Sequence, residues 1–96
     1  MATMMVQGAV QRYRASAERR RRLNGRTAAT TKAKARWDAE MDHLDSVLRD
    51  RGEDHLRGLL QEEHTLLDRL VGIHGTRPEL DARLRDVRRQ IKEALA

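Results

Sequence analysis

The 96-residue sequence contains no cysteine and no phenylalanine, and it has a single proline, tryptophan and tyrosine. Without cysteine, neither a disulfide framework nor a thiolate site can form. A core with so few aromatic side chains must be aliphatic and mostly leucine, which favours helix-on-helix packing over a sheet. The length sets a ceiling of one domain.

Long apolar segments are also missing. No run in the sequence approaches the roughly 20 apolar residues that a membrane-spanning helix needs, so we expect no membrane partner. No charged segment precedes an apolar one at the N-terminus, so a secretory signal is not expected either. The absence of cysteine is compatible with a cytoplasmic location.

Patterns typical of catalytic or metal sites are sparse. The four histidines (His43, His55, His64 and His74) are 12, 9 and 10 residues apart, which matches no zinc-binding pattern. Glu40 and His43 have the spacing of ligands in di-iron helical bundles, but no second glutamate stands at a matching position. We therefore predict a non-enzymatic protein with no cofactor and no metal.

Acidic residues are almost absent from the first third of the chain. Residues 1–36 hold ten basic residues and one acid, a net charge of +9, whereas residues 37–96 hold ten basic residues and fourteen acids, a net charge of −4. Such asymmetry indicates a polyanionic partner, either nucleic acid or an acidic protein surface. The candidate nucleic-acid-binding or anion-binding residues are Arg12, Arg14, Arg19, Arg20, Arg21, Arg22, Arg26, Lys32, Lys34 and Arg36.

The basic first third has a helical pattern over residues 9–23. Four residues spaced by 4, 3 and 4 positions share one face of this helix, and Gly25 can end it in a left-handed conformation. Thr30 or Thr31 can then cap the next helix. We predict a basic N-terminal arm with a short helix over residues 1–31. The four face-sharing residues are Val6, Val10, Tyr13 and Ala17.

A long amphipathic pattern follows the arm. Its apolar positions keep their phase across Gly52, because Leu48 and Leu59 are eleven residues apart, the spacing of a stutter in a continuous helix. We predict one long helix from about residue 32 to residue 73, bent near Gly52. Two helices separated at Gly52 are the alternative.

The segment 72–80 contains the clearest turn signal. Gly75 suits a helix C-terminus, Thr76 and Glu79 have capping-box spacing, and Pro78 suits a first helical turn. A last helix over about 77–96 carries one apolar stripe and folds back on the long helix. The predicted fold is therefore all-α: a coiled-coil-like antiparallel helical hairpin over residues 32–96. The stripe consists of Leu80, Leu84, Val87, Ile91 and Leu95.

The last helix is too short to cover the first part of the long helix. The apolar face left over predicts an oligomerisation or docking face, with the N-terminal helix covering it within the same chain as the alternative. A small body of this kind commonly gains stability by oligomerising. The residues of this face are Trp37, Met41, Leu44 and Leu48.

Together these features predict a small helical nucleic-acid-binding protein of bacterial or phage type. Its basic arm would contact phosphates largely without reading the base sequence. The alternative is a structural or adaptor subunit of a larger assembly, such as a phage virion, whose arm docks on an acidic neighbour. Either function implies a homo-oligomer or a subunit of an assembly, located in the cytoplasm or in the virion respectively.

Overall fold

A computed structural model describes residues 2–96, which form four α-helices and no strand. The helices are α1 (Met4–Arg22), α2 (Ala28–Asp50), α3 (Asp54–Leu70) and α4 (Pro78–Leu95). This confirms the all-α prediction. None of the four helices in this range combines the length and apolar character needed to cross a lipid bilayer.

The helices pack as two successive pairs. α1 packs along α2 and α3 packs along α4, and the pairs meet where α1 and α2 contact α3. The C-terminal ends of α1 and α3 lie together, because Arg21 and Val71 line the same cleft. Both intra-pair loops, 23–27 and 71–77, therefore lie at one end of the molecule, and the turn between the pairs lies at the other. We call α1 with α2 the first helix pair and α3 with α4 the second helix pair.

The core is a single aliphatic cluster to which all four helices contribute. Tyr13 is the only aromatic residue in it, and Glu63 and Ser16 are its buried polar residues among those described. The apolar stripes expected from the sequence point into this cluster. Its largest fully buried side chains are Leu44, Leu48, Leu56, Leu60, Ile91, Val10 and Val87.

The prediction of one long helix over residues 32–73 is wrong, because the chain turns between α2 and α3. Gly52 has φ 72°, in the left-handed region. Its amide donates to the carbonyl of Arg49, and the amide of Glu53 donates to the carbonyl of Leu48, both at 3.0 Å. These two bonds form a Schellman motif, which satisfies the last carbonyls of α2. The second helix pair can then pack against the first.

The first third of the chain is a core helix rather than a free arm. α1 begins at Met4, five residues before the expected start, because the Thr3 side chain accepts a hydrogen bond of 3.2 Å from the Val6 amide. The four residues predicted to share a face are all buried in the cluster: Val6, Val10, Tyr13 and Ala17.

The same helix overturns the expected docking face. Met41, Leu44 and Leu48 are 6%, 1% and 0% exposed, because α1 packs on α2 within the chain. These three side chains are therefore not available to a partner, and the alternative of a covering N-terminal helix is the one observed. Trp37, the fourth residue, is partly buried near the middle of α2.

Two helix caps differ from those expected. α2 is capped by Thr27, whose hydroxyl accepts from the Thr30 amide at 3.2 Å, and not by Thr30 or Thr31. α4 has Arg77 at its N-cap without a side-chain bond, so Thr76 and Glu79 do not form the expected capping box. Pro78 occupies the first turn, as predicted.

The two helix pairs repeat one another at an offset of fifty residues. Five buried positions of α1 each have a buried counterpart in α3 fifty residues later, and Met41 of α2 corresponds to Ile91 of α4 in the same way. The loop glycines Gly25 and Gly75 share this offset and have φ 101° and 98°. The α1–α3 counterparts are Val6 and Leu56, Ala9 and Leu59, Val10 and Leu60, Tyr13 and Glu63, and Ser16 and Leu66.

Candidate nucleic-acid interface

The connection between α1 and α2 concentrates basic residues at one corner of the molecule. The last turn of α1 is the run Arg19–Arg22, where positive charge is favoured by the negative end of the helix dipole. Arg26 follows in the loop, and three further basic residues lie in the first turns of α2. The left-handed Gly25 lets the chain reverse, so these three segments lie side by side.

A cleft of about 480 Å³ opens at this corner. Four basic side chains and one carboxylate line it, so its wall is predominantly positive. We call it the basic cleft. Its basic residues are Arg20, Arg21, Arg26 and Lys34, and its other lining residues are Leu23, Asn24, Gly25, Asp68 and Val71.

Four of the ten candidate residues are paired with carboxylates inside the chain. Arg14 donates two hydrogen bonds, of 2.9 and 2.6 Å, to the buried carboxylate of Glu63, so its role is structural. The other three pairs are partly exposed, and they too offset positive charge at short range. These pairs are Arg12 with Glu40 at 2.5 Å, Arg20 with Asp38 at 2.5 Å, and Arg22 with Glu18 at 2.8 Å.

The other six candidates have no carboxylate within 4.0 Å among residues 2–96. All six belong to the last turn of α1, the loop, or the first turns of α2. Their positive charge is therefore not offset by a carboxylate at short range. We call this set the basic corner: Arg19, Arg21, Arg26, Lys32, Lys34 and Arg36.

Two residues of the basic corner are positioned by Trp37. The guanidinium carbons of Arg19 and Arg36 each lie 5.2 Å from the centre of the Trp37 ring, within the range of cation–π contacts. These contacts fix two positive charges that come from different helices. They also occupy the ring, so Trp37 is not an open platform for stacking a nucleobase.

Arg21 forms part of the wall of the basic cleft through its contact with α3. Its Nη1 lies 3.1 Å from Nδ1 of His64, and Nε2 of His64 lies 3.5 Å from Oδ2 of Asp68. Burial lowers the pKa of both Arg21 and His64, while Asp68 acts in the opposite direction. A neutral His64 can accept from Arg21 at Nδ1 and direct its Nε2 proton toward Asp68. This chain of contacts joins α1 to α3 beneath the cleft.

The second intra-pair loop region contributes two basic residues that are not among the ten candidates predicted from the sequence. Arg69 and Arg77 line a depression of about 450 Å³ together with Glu79. Neither arginine has a carboxylate within 4.0 Å in the described part of the chain. Arg77 corresponds to Thr27 in the fifty-residue repeat, but Arg69 corresponds to Arg19, a signal that could have found it. The acid-rich composition around them hides it.

Among residues 2–96, no three histidine, aspartate or glutamate side chains lie close enough together to hold a metal ion. No protein-family model, no curated protein and no solved structure matches the chain.

Proposed function

We propose that this chain is a non-enzymatic nucleic-acid-binding protein that holds the phosphate backbone at its basic corner. The observation that carries the proposal is that six basic side chains without a carboxylate partner lie on three adjoining segments: the last turn of α1, the 23–27 loop and the first turns of α2. Lysine and arginine side chains at such a surface neutralise phosphates and release condensed counterions. Binding of this kind is strongest at low salt.

The contacts at the corner favour phosphates over bases. Tyr13 is buried, and the Trp37 ring is already in contact with two guanidinium groups. Recognition of unpaired bases normally uses exposed aromatic rings, whereas phosphate contacts need only well-placed donors. The protein therefore binds largely independently of base sequence.

The composition of the corner also favours nucleic acid over an acidic protein surface. Protein interfaces have an apolar centre surrounded by polar residues. In the basic cleft, Leu23 and Val71 are the only large apolar side chains among nine lining residues. The second candidate function is a structural or adaptor subunit. The same basic side chains would then dock on the carboxylates of a neighbouring protein in place of phosphates.

The test measures the affinity for a short duplex DNA against salt concentration by fluorescence anisotropy. Neutralising about five phosphates gives a slope of log K against log salt of about −4 to −5. The double variant Arg26→Ala, Lys32→Ala removes two exposed basic side chains of the corner. We expect it to flatten the slope by about 2.

A matched control is Arg85→Ala, Lys92→Ala. It also removes one arginine and one lysine, both exposed and unpaired with carboxylates within 4.0 Å, but on α4. We expect its slope to remain close to that of the wild type. Equal flattening by both double variants would show that only net charge matters. An absence of binding by the wild type at low salt would favour the adaptor function.

A further inference from the structure

The turn between the two helix pairs is short and is held by few groups. Residues 51–53 separate α2 from α3, and the turn requires the left-handed φ of Gly52. Glu53 is the N-cap of α3 but makes no side-chain bond to it in the described chain. The first amides of α3 consequently depend on solvent. Gly52 is the one residue whose conformational freedom favours the turn over a helix.

The sequence on either side of the turn suits a continuous helix. Leu48 and Leu59 lie eleven residues apart, so their side chains would share a face if α2 and α3 formed one helix. A continuous helix would also pair the last carbonyls of α2 with the first amides of α3. We call this continuous helix the straight conformation. Replacing the turn with it therefore costs little free energy within residues 48–59 themselves.

The straight conformation does lose the contacts between the helix pairs. Arg57 donates to Asp45 at 3.0 and 2.8 Å across the turn, Arg14 donates to Glu63, and the side-chain amide of Gln7 donates to the carbonyl of Leu95 at 3.3 Å. Each of these contacts joins a residue of the first helix pair to one of the second. A second copy of the chain can supply every partner.

We propose that this chain forms a dimer by exchanging helix pairs between two copies. In each copy the turn at Gly52 straightens and α2 continues into α3. The first helix pair of one copy then packs on the second helix pair of the other, through the same contacts that the single chain makes. Short connections between packed units are the usual sites of such exchange. The interface is the buried surface between the pairs, and its partner is another copy of this chain.

The substitution Gly52→Ala tests the proposal. Alanine is disfavoured at a positive φ and favoured inside a helix, and apart from the adjoining residues 51 and 53 no described residue comes within 4 Å of the added methyl group. In each chain the substitution should favour the continuous helix over the turn by about 30-fold. Because a dimer contains two such chains, we expect an increase of about 10³-fold in the dimerisation constant. Sedimentation equilibrium at micromolar concentration measures it.

The matched control is Gly58→Ala. Gly58 lies inside α3, and an added methyl group there also meets open space. This variant gains helix propensity without disturbing the turn, so it should unfold at a higher temperature with the association state of the wild type. Dimerisation of both variants to the same extent would overturn the assignment to Gly52.

A mixing experiment separates exchange from simple surface association. In the Gly52→Ala background, Asp45→Arg and Arg57→Asp each break the pair across the turn. A mixed dimer with exchanged pairs restores opposite charges at both contacts, so it should unfold at a higher temperature than either variant alone. A mixture no more stable than its components would contradict exchange.

The association state of the Gly52→Ala protein, or of refolded wild-type protein, decides whether exchange occurs. A Gly52→Ala protein that is helical by circular dichroism and monomeric at micromolar concentration would overturn it. If that variant does not fold, wild-type protein is refolded from denaturant at high concentration, and a dimer that dissociates slowly on dilution is expected. Recovery of monomer alone would overturn the proposal.

Discussion

The buried carboxylate of Glu63 connects three helices through two arginines. Glu63 lies on α3 and is 4% exposed, and it accepts from Arg14 of α1 and from Nε of Arg88 of α4 at 3.1 Å. Both arginines are themselves partly exposed. Their bonds replace the hydration that the carboxylate lost on folding. Glu63 therefore holds the two helix pairs in register.

Replacing Glu63 with glutamine removes the charge while keeping the shape of the side chain. We expect a loss of about 2 kcal/mol in the free energy of unfolding, because two charge-assisted contacts weaken and an amide hydrogen atom faces a guanidinium group. Denaturant titration measures the change. The control is Glu62→Gln, since Glu62 pairs with Arg83 at the surface and should matter by less than about 1 kcal/mol. Equal losses would contradict the structural role of Glu63.

Tyr13 gives a pH-dependent signal from the core. Burial, and then the nearby carboxylates Asp45, Asp42 and Glu63, raise the pKa of its phenol to about 12. The folded-state pKa lies above the unfolded value of about 10, so the contribution of the neutral phenol is complete below pH 10. That contribution is lost as the pH rises toward 12.

Tyr13 is the only tyrosine, so its ionisation can be followed directly by tyrosinate absorbance. We expect a titration midpoint well above that of the unfolded chain in denaturant, followed closely by unfolding. The variant Tyr13→Phe should lose less stability than the wild type between pH 10 and pH 12. Identical midpoints for the folded and unfolded protein would show that the phenol is not buried.

At the scale of the helices, two threonines provide a paired test of capping. Thr27 caps α2, so Thr27→Ala should lower the free energy of unfolding by about 1 kcal/mol. Thr76 has the sequence context of a cap but makes no cap bond to α4, so Thr76→Ala should have almost no effect. Thermal unfolding of the two variants decides between them. A larger loss for Thr76→Ala would mean that α4 begins with the capping box.

The sequence was sufficient to identify the buried face of each helix but not the partner of that face. Met41, Leu44 and Leu48 were correctly assigned to one apolar face, yet an amphipathic pattern does not say which helix covers it. The missing partner is α1, whose own face was also identified. The sequence also marks Gly52 as the place where the long helix bends or separates into two helices, and the chain turns there. Its turn is stabilised by packing between helix pairs, which local spacing does not reveal.

At the scale of the whole molecule, the charge asymmetry of the sequence is only partly present at the surface. The first third of the sequence contains ten basic candidates, but local spacing does not show which of them pair with acids distant in the chain. Glu63, for example, is 49 positions from Arg14, and only the packing of α3 on α1 brings them together. Six of the ten candidates have no carboxylate partner in the described chain, and they lie on the last turn of α1, the 23–27 loop and the first turns of α2, toward the end of the molecule that carries both intra-pair loops.

This shared end suggests a larger contact surface than the basic corner alone. A phosphate backbone lying across it would pass from the basic corner to the second loop, where Arg69 and Arg77 have no carboxylate within 4.0 Å in the described chain. An exchanged dimer would carry two such ends and bind one nucleic acid with a higher effective concentration.

The double variant Arg69→Ala, Arg77→Ala tests this extended surface. If both side chains contact phosphates, the slope of log K against log salt on duplex DNA should flatten by about 2, as for the basic-corner variant. The Arg85→Ala, Lys92→Ala protein is again the control for net charge. An unchanged slope would confine the contact to the α1–α2 loop and leave the proposed function intact. A flattened slope would assign the whole loop end to nucleic-acid binding, because the two arginines belong to the second helix pair and lie outside the basic first third of the chain.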